Sequence, residues 1–170
     1  MKYIITGGAG FIGSHIAETL APDHEVIVID NLFSGKKENL KGIPVRFEEG
    51  SITDLSFLKR LFEGADGVFH EAAITSVPRS VKDPLPTNEV NITGTLNVLV
   101  AAKEANVRKV VFASSSSVYG DTPVLPKTES MTPSPLSPYG VSKLTGEQYC
   151  RVFSDLYGLE TVALRYFNVF

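Results

Sequence analysis

The sequence predicts an α/β fold in which a doubly wound parallel sheet carries helices on both faces, as a single domain over residues 1–170. Two observations predict this fold. Short apolar runs alternate with longer segments of helical spacing along the chain, which is typical of βαβ units. A glycine-rich stretch separates the first apolar run from the first helical segment, where a parallel sheet needs a tight turn.

The strands and helices follow from this alternation in chain order. Strands are predicted at Tyr3–Thr6, Glu25–Asp30, Val45–Glu48, Gly67–His70, Lys109–Ala113 and Thr161–Tyr166. Helices are predicted at Phe11–Leu20, Lys37–Leu40, Asp54–Phe62 (with Asp54 as its cap), Thr87–Ala105 and Tyr139–Tyr157. The segment Asp121–Pro138 holds five prolines, too many for a helix or a central strand, so we expect a long ordered loop with a functional role.

The composition argues against several kinds of partner. With 43% hydrophobic residues, 21% charged residues and a net charge of −3, the chain has no electrostatic reason to bind nucleic acid or an anionic membrane. No apolar run approaches the roughly 20 residues that span a bilayer. The strand pattern starting at Tyr3 leaves no room for a signal peptide. The single cysteine, Cys150, and three scattered histidines predict neither a disulfide nor a metal site. We therefore expect a cytoplasmic protein.

The glycine-rich stretch Thr6–Gly13 (TGGAGFIG) lies where the first strand turns into the first helix. Backbone N–H groups at a helix start bind phosphate, and glycines remove the side chains that would block its approach. Glycines alone are weak evidence, because turns favour them too. The strand before, the helix after and an acidic residue downstream agree with a dinucleotide site, so we expect a pyrophosphate here.

The acidic residue is Asp30, at the end of the second predicted strand. A carboxylate at this position accepts hydrogen bonds from the adenosine ribose and repels a 2′-phosphate, which favours NAD over NADP. Lys36 and Lys37 leave NADP as the alternative unless they form a solvated helix face. Ser51 and Ile52 follow the third strand, where the adenine should lie, although ordinary packing explains Ile52 equally well.

Three residues form a candidate catalytic group. Tyr139 and Lys143 are four apart on a predicted helix and share one face, and Ser115 follows the fifth strand at the ligand-binding edge of the sheet. A free tyrosine has a pKa near 10, but a nearby ammonium favours the phenolate. Tyr139 is then able to take a proton from a substrate hydroxyl while hydride leaves the same carbon. A surface pair is the alternative, and the accompanying motifs argue against it.

Several motifs together resemble one known family. They are Thr6–His15 (TGGAGFIGSH), Asp30-Asn31, Asn91–Thr95 (NITGT), Ser114–Gly120 (SSSSVYG) and Ser137–Lys143 (SPYGVSK). In order and spacing these motifs are similar to those of the extended short-chain dehydrogenases with a Rossmann fold. Within that group the chain resembles the UDP-glucose 4-epimerases and UDP-N-acetylglucosamine 4-epimerases, whose NAD-binding part it covers.

The resemblance implies a reaction and a set of site residues. A 4-epimerase of galactose metabolism uses bound NAD to oxidise C4 of a UDP-sugar transiently and then reduces it from the opposite face. The implied catalytic residues are Ser115, Tyr139 and Lys143. The implied substrate-binding residues are Ser76, Ser115, Ser116 and Asn168, with Arg79 either reaching the substrate or lying in a solvated turn. The implied NAD-binding residues are Gly7, Gly10, Phe11, Ile12, Gly13, Asp30, Asn31, Ser34, Gly35, Ser51, Ile52, Ala72, Ala73, Asn91, Ser114, Tyr139, Lys143 and Phe167.

The chain departs from the family pattern in two ways. Ser51 stands where the family usually has an aspartate, which would remove an acceptor for the adenine amino group. Family members also continue beyond the position of Phe170 into a domain that grips the UDP. We therefore expect a fragment without the C-terminal substrate domain, inactive by itself. The resemblance further implies a homodimer through the Thr87–Ala105 and Tyr139–Tyr157 helices.

Other functions of the same fold stay open. UDP-glucuronate 4-epimerases share the serine run. Sugar 4,6-dehydratases and UDP-glucuronate decarboxylases resemble the chain as well, but they carry an acid shortly after these serines, where this chain has Ser116 and Ser117. A non-catalytic NAD-binding protein is the remaining alternative. Such proteins typically lose the tyrosine or the lysine, and this chain keeps both.

Overall fold

The computed structural model describes residues 1–170 and contains one six-stranded sheet in the order β3-β2-β1-β4-β5-β6. Its strands are β1 Lys2–Thr6, β2 Glu25–Asp30, β3 Arg46–Glu49, β4 Gly67–His70, β5 Lys109–Ser115 and β6 Glu160–Tyr166. Every neighbouring pair is parallel, with Thr6 between Ile29 and His70. The predicted doubly wound sheet is confirmed, and β5 runs two residues further than expected, to Ser115.

Six α-helices cover the sheet. They are α1 Phe11–Leu20, α2 Leu55–Phe62, α3 Val77–Lys82, α4 Pro84–Asn88, α5 Gly94–Glu104 and α6 Pro138–Tyr157, with short 3₁₀ helices at Lys37–Leu40 and Ser116–Tyr119. A π-helical turn at Glu89–Thr93 joins α4 to α5, so the helix predicted at Thr87–Ala105 starts earlier and changes its hydrogen-bonding pattern midway. None of the helices is both long enough and apolar enough to cross a membrane.

Helix α3 was not predicted, because the Ser-Val-Pro-Arg stretch was interpreted as a substrate contact or a solvated turn. Proline lacks a backbone N–H and is favoured in the first helical turn, where that group would have no partner. Pro78 occupies such a position, and the Ser76 side chain caps the helix by accepting a hydrogen bond from the Arg79 N–H at 3.3 Å. Pro84 opens α4 in the same way.

Apolar side chains cover the two faces of the sheet unequally. On one face, Ile4 and Phe112 pack against α2, α5 and α6 in a core of 19 buried residues. On the other face, Ile5 and its neighbours pack against α1 in a smaller core of seven. Toward β6 this second face is open, and Val162 and Leu164 are 40% and 39% exposed. The sheet is therefore enclosed on one face and only half covered on the other.

Helix α6 lies unusually close to β5 at Gly146. A Cβ atom added there would fall 2.7 Å from Cε1 of Phe112, whose buried ring lies against His70, with the two ring planes tilted by 35°. Because that ring has nowhere to move, any side chain at Gly146 would push the helix away from the strand. The close approach matters for the site, since α6 and β5 both contribute residues to it.

We expect Gly146→Ala to destabilise the fold, although glycine-to-alanine changes inside helices usually stabilise by roughly 0.5–1 kcal/mol. Overpacking against Phe112 should reverse the sign, with a loss of about 1–3 kcal/mol in the free energy of unfolding. Urea denaturation measures this loss, with the exposed Gln148→Ala on the same helix as the control. A gain in stability for Gly146→Ala would show that the approach is not sterically limiting.

Candidate active site

A cleft of about 1030 Å³ runs along the carboxyl edge of the sheet. Parallel strands all end at this edge, so residues that follow different strands meet there. The predicted site residues that line the cleft are Gly7, Gly10, Phe11, Ile12, Gly13, Asp30, Asn31, Ser34, Gly35, Ser51, Ile52, Ala72, Ala73, Ser114, Ser115, Ser116, Tyr139, Lys143, Phe167 and Asn168. Ser76, Asn91 and the alternative substrate contact Arg79 lie outside its lining.

The glycine-rich turn brings backbone rather than side chains to the cleft. Gly7 has a φ of +69°, and a Cβ added to it would lie 2.6 Å from the backbone nitrogen of Ala72. At Gly13 an added Cβ would lie 2.5 Å from the Gly7 carbonyl oxygen. Gly10 is the N-cap residue of α1, and no side chain there accepts a hydrogen bond from the first N–H groups of the helix. The first N–H groups of this ten-residue helix therefore face the cleft and suit a pyrophosphate.

Asp30 is held in place by the backbone around it. Its carboxylate accepts hydrogen bonds from the N–H groups of Ala9 (3.0 Å) and Leu32 (2.8 Å), and the residue is 8% exposed. Both oxygens of the Asp30 carboxylate are able to accept further hydrogen bonds, which the hydroxyls of a ribose would donate. The Lys37 ammonium makes a cation–π contact with Phe47 of β3, 4.8 Å from the centre of its ring.

Ser51 and Ile52, the predicted neighbours of an adenine ring, both line the cleft. The Ser51 hydroxyl bonds to the Thr53 hydroxyl at 2.8 Å and accepts from the Thr53 N–H at 3.2 Å. Ile52 is buried, lines the cleft and packs on Gly94, where an added Cβ would be 2.6 Å from its Cδ1. The packing interpretation of Ile52 is therefore confirmed, and its place in the cleft wall leaves the adenine contact as a prediction.

Asn91 acts behind the wall of the cleft. Its side-chain amide donates to the Ile74 carbonyl at 3.0 Å and to the Ser142 hydroxyl at 3.1 Å, and its oxygen accepts from the Ile74 N–H at 2.8 Å. With every polar atom engaged and only 2% exposure, Asn91 fixes the wall segment at Ile74, which does line the cleft. Ser76 likewise caps α3 instead of facing the cleft.

The three predicted catalytic residues converge at the middle of the cleft. Ser115 ends β5, and its hydroxyl accepts from the N–H and the hydroxyl of Ser117 at 3.1 and 2.9 Å. Tyr139 and Lys143 project from the first turns of α6 and are 8% and 3% exposed. The Lys143 ammonium donates to the Ala113 carbonyl at 2.7 Å and lies 5.9 Å from the centre of the Tyr139 ring.

The electrostatics of this group differ from the expectation for Tyr139. Burial raises the pKa of Tyr139, and a hydrogen bond from Ser115 only partly opposes the rise. The expected lowering by Lys143 was wrong for this structure, because the ammonium is directed at the Ala113 carbonyl. Burial also lowers the pKa of Lys143 to about 8, while the Glu71 carboxylate acts in the opposite direction.

Comparison with known proteins identifies the family of this chain. The profile of the NAD dependent epimerase/dehydratase family matches residues 3–170. The chain belongs to this family. It is 41% identical over 170 residues to a putative UDP-glucose 4-epimerase from Methanocaldococcus jannaschii, covering 98% of this chain and 55% of that protein. The chain spans about half the length of the curated relatives it matches.

Solved structures of the family superimpose closely on this chain. A UDP-N-acetylglucosamine 4-epimerase from Methanobrevibacter ruminantium, in complex with UDP-N-acetylmuramic acid, gives a TM-score of 0.96 at 45% identity, over 99% of this chain and 55% of that one. A UDP-glucose 4-epimerase from Thermotoga maritima with UDP-glucose also gives 0.96, at 42% identity, over 100% of this chain and 56% of that one. The resemblance inferred from the motifs is confirmed.

The cofactor of the family is NAD, and the cleft fits it. The cradle around Gly7 and Gly13 has no room for side chains, so only backbone meets a pyrophosphate there. The Asp30 carboxylate stands at the far end of β2, where ribose hydroxyls would find an acceptor. NAD would thus be held by the glycine turn and Asp30, with Tyr139 and Lys143 at the reacting end.

Glu71 was missed by the sequence analysis, although it directly follows β4 and its place at the sheet edge could have indicated it. It lines the cleft near Tyr166, whose hydroxyl lies 3.5 Å from Oε1 of Glu71. Burial raises the pKa of Glu71 to about 7, against the effect of Lys143 and Tyr166. Its neighbour His70 has a pKa lowered to about 3 by burial and by Lys143, so this imidazole is neutral.

Ser114 belongs to a buried network behind the cleft. Its hydroxyl donates to Oε1 of Glu147 at 2.5 Å, and Arg165 binds both oxygens of the same carboxylate at 2.9 and 2.8 Å. The two side chains of this ion pair are only 16% and 12% exposed. The network ties the end of β5 to α6 and β6, which fixes the strand end that carries Ser115.

We expect Glu71→Gln to change stability in a pH-dependent manner. The pKa of Glu71 is about 7 in the fold against an ordinary value of 4.5, so the unfolded chain loses this proton first. Ionisation therefore lowers wild-type stability progressively between these two pH values, and the penalty is constant above them. The stability of Glu71→Gln relative to wild type should rise across this window and then level off.

Urea unfolding of both proteins at pH 4, 5, 6, 7 and 8 measures the difference. Glu18→Gln, at an exposed position on α1, is the matched control and should show no such rise. A difference between Glu71→Gln and wild type that does not vary with pH would contradict the raised pKa.

Proposed function

We propose that this chain is the NAD-binding part of a nucleotide-sugar 4-epimerase of galactose metabolism, which interconverts UDP-glucose and UDP-galactose or their N-acetyl forms. The convergence of Ser115, Tyr139 and Lys143 in the middle of a cleft that also carries the glycine turn and Asp30 supports this function. The epimerase names of its relatives support it further.

The residues divide the chemistry between them. Tyr139 would take the proton of the 4-hydroxyl and later return it, with the Ser115 hydroxyl holding the same oxygen in position. When bound, NAD supplies the acceptor that takes hydride from C4 and gives it back to the opposite face. A phenol is protonated at neutral pH, and burial raises the pKa of Tyr139 further, so groups that favour the phenolate must assist it, and Ser115 is one of them.

Lys143 would bind the nicotinamide ribose through the part of its ammonium that the Ala113 carbonyl does not occupy. The substrate end would be served by Ser116 and Asn168, which line the cleft beyond Ser115. Lys127, from the proline-rich loop, lines this end as well and was not predicted. The loop therefore contributes to the cleft, in line with the role expected for a long ordered segment.

The alternative reactions differ in the acid they need. Ser116 and Ser117 stand in the cleft after β5, where a dehydratase or decarboxylase would carry a carboxylate, and this favours epimerisation. A UDP-glucuronate 4-epimerase stays the second candidate, because the Lys127 ammonium offers a cation at the substrate end. A non-catalytic NAD-binding protein is disfavoured by the retained Tyr139 and Lys143.

We propose the cytoplasm as the compartment, since the only cysteine is free and buried.

We expect proton NMR with NAD and each of UDP-glucose, UDP-N-acetylglucosamine and UDP-glucuronate to show a C4 epimer of one sugar without net NADH. The assay compares this chain with the complete product of its reading frame. The chain alone should be inactive, because positioning a transition state needs both walls of the cleft. A 4-keto-6-deoxy product, or release of CO₂, would refute the epimerase assignment.

In the active protein, Tyr139→Phe should lower turnover by about 10²–10⁴-fold, the usual contribution of a general acid–base group. NAD affinity should change little, because the ring remains. Tyr157→Phe, which removes an exposed hydroxyl from the same helix, is the control and should retain full turnover. Equal turnover of Tyr139→Phe and wild type would exclude Tyr139 as the proton carrier.

We also propose a homodimer through α5 and α6. Val141, Val152 and Leu156 repeat at helical spacing on α6 and are 47%, 44% and 70% exposed, so they form an apolar stripe on one face. The Lys103 ammonium lies 4.7 Å from the centre of the Tyr157 ring, which joins the end of α5 to this stripe. Burial of such a stripe against its own copy would remove it from water.

Sedimentation at tens of micromolar should therefore show a dimer, and Leu156→Glu should shift it to a monomer with an unchanged circular dichroism spectrum. Glu18→Gln, on the far side of the sheet, should leave the dimer intact. A monomeric wild-type chain at this concentration would contradict the proposal.

A further inference from the structure

Phe33 and Arg79 meet above the glycine turn. Phe33 lies in the loop after β2, and Arg79 lies in α3, after β4. The guanidinium carbon of Arg79 is 5.1 Å from the centre of the Phe33 ring. Strand β1 lies between β2 and β4 in the sheet, so this contact crosses the carboxyl end of β1, from which the glycine turn leaves.

Neither side chain is held in this position by packing in a hydrophobic core. The Phe33 side chain is 58% exposed, which is uncommon for a large aromatic ring, and it lines the cleft. Arg79 is exposed and forms no ion pair in the structure. A cation–π contact at an exposed site is worth only about 0.5–1 kcal/mol. Packing alone therefore does not account for the arrangement.

The helix that carries Arg79 is firmly anchored on its inner side. Ser80 is fully buried, and its hydroxyl accepts a hydrogen bond from the Tyr139 N–H at 3.1 Å, so α3 is tied to the start of α6. The Ser76 cap fixes the first turn of the same helix. Arg79 thus projects from an anchored helix to Phe33, and it adjoins the cleft through that ring, which is part of the lining whereas Arg79 is not.

The chemistry of the pair suits an anionic diphosphate. A guanidinium stacked on an aromatic ring keeps its N–H groups free at the edge, and their fork geometry matches two phosphate oxygens. The charged side chains in the lining of the cleft are Asp30, Glu71, Lys127 and Lys143. The two lysines donate to the carbonyls of Thr122 and Ala113, and Arg79 stands at the edge of the lining, in contact with Phe33. Arg79 would supply the missing counter-charge on the side opposite the backbone N–H groups.

We propose that Phe33 and Arg79 form a strap that binds the diphosphate of the dinucleotide from above and slows its release. The inference rests on the proposed function, in which the same cofactor molecule must stay bound while hydride leaves the sugar and returns to it. Retention of the cofactor between these two events is what the strap contributes. It adds two cofactor-binding residues, and it changes the role of Arg79 from a substrate contact to a cofactor contact.

The test is a double-mutant cycle on NAD binding, with the wild-type chain, Phe33→Ala, Arg79→Ala and the double variant. We expect each single change to raise the Kd for NAD about ten-fold, mostly through faster dissociation. The rise in Kd for the double variant should be much smaller than the product of the two single rises, because both changes remove the same interaction. Arg79→Lys should lie between wild type and Arg79→Ala, since it keeps the charge but loses the fork.

Lys82→Ala removes an exposed cation from the same helix and should leave NAD binding unchanged. Thermal unfolding of every variant checks that the fold is retained. Unchanged NAD dissociation in both single variants, or effects that multiply independently, would overturn the strap while leaving the proposed epimerase intact. A wild-type chain that does not bind NAD would overturn both.

Discussion

The site depends on a buried ammonium, that of Lys143. Its only hydrogen-bonding partner is the Ala113 carbonyl at the end of β5, which requires α6 to lie against the strand as closely as Gly146 allows. A buried cation is costly unless a charge of opposite sign stands near it. Glu71 provides that charge from β4, and the burial of both groups brings their pKa values to about 8 and about 7.

The same closeness fixes the residues around Lys143. Tyr139 and Glu147 lie one turn before and one turn after it on α6, and each is tied to another element. The Tyr139 N–H bonds to Ser80 of α3, and the Glu147 carboxylate bonds to Ser114 of β5 and Arg165 of β6. One face of one helix therefore positions the phenol, the ammonium and the strand end that carries Ser115.

How far the sequence predicts this arrangement depends on the range of the interactions. Alternating apolar runs and the glycine turn are local, and they predicted every strand and the dinucleotide cleft. Helices α3 and α4 were not predicted, although Pro78 and Pro84 stand in their first turns, where proline is favoured. The position of Asn91 behind the wall, the raised pKa of Tyr139 and the electrostatic effect of Glu71 on Lys143 depend on how distant segments pack together, which no local pattern reveals.

The unequal covering of the sheet distinguishes the two ends of the cleft. The cofactor end of the cleft is built from β1, β2 and β4, whose faces are packed against helices and whose backbone cradle is complete. The substrate end is built from β5, β6 and the exposed residues Phe167 and Asn168, beside the open face at Val162 and Leu164. Exposed apolar side chains in a row mark surfaces that contact further protein. The cradle that fits NAD is therefore complete within this chain, whereas the face of the sheet beside β6 is open.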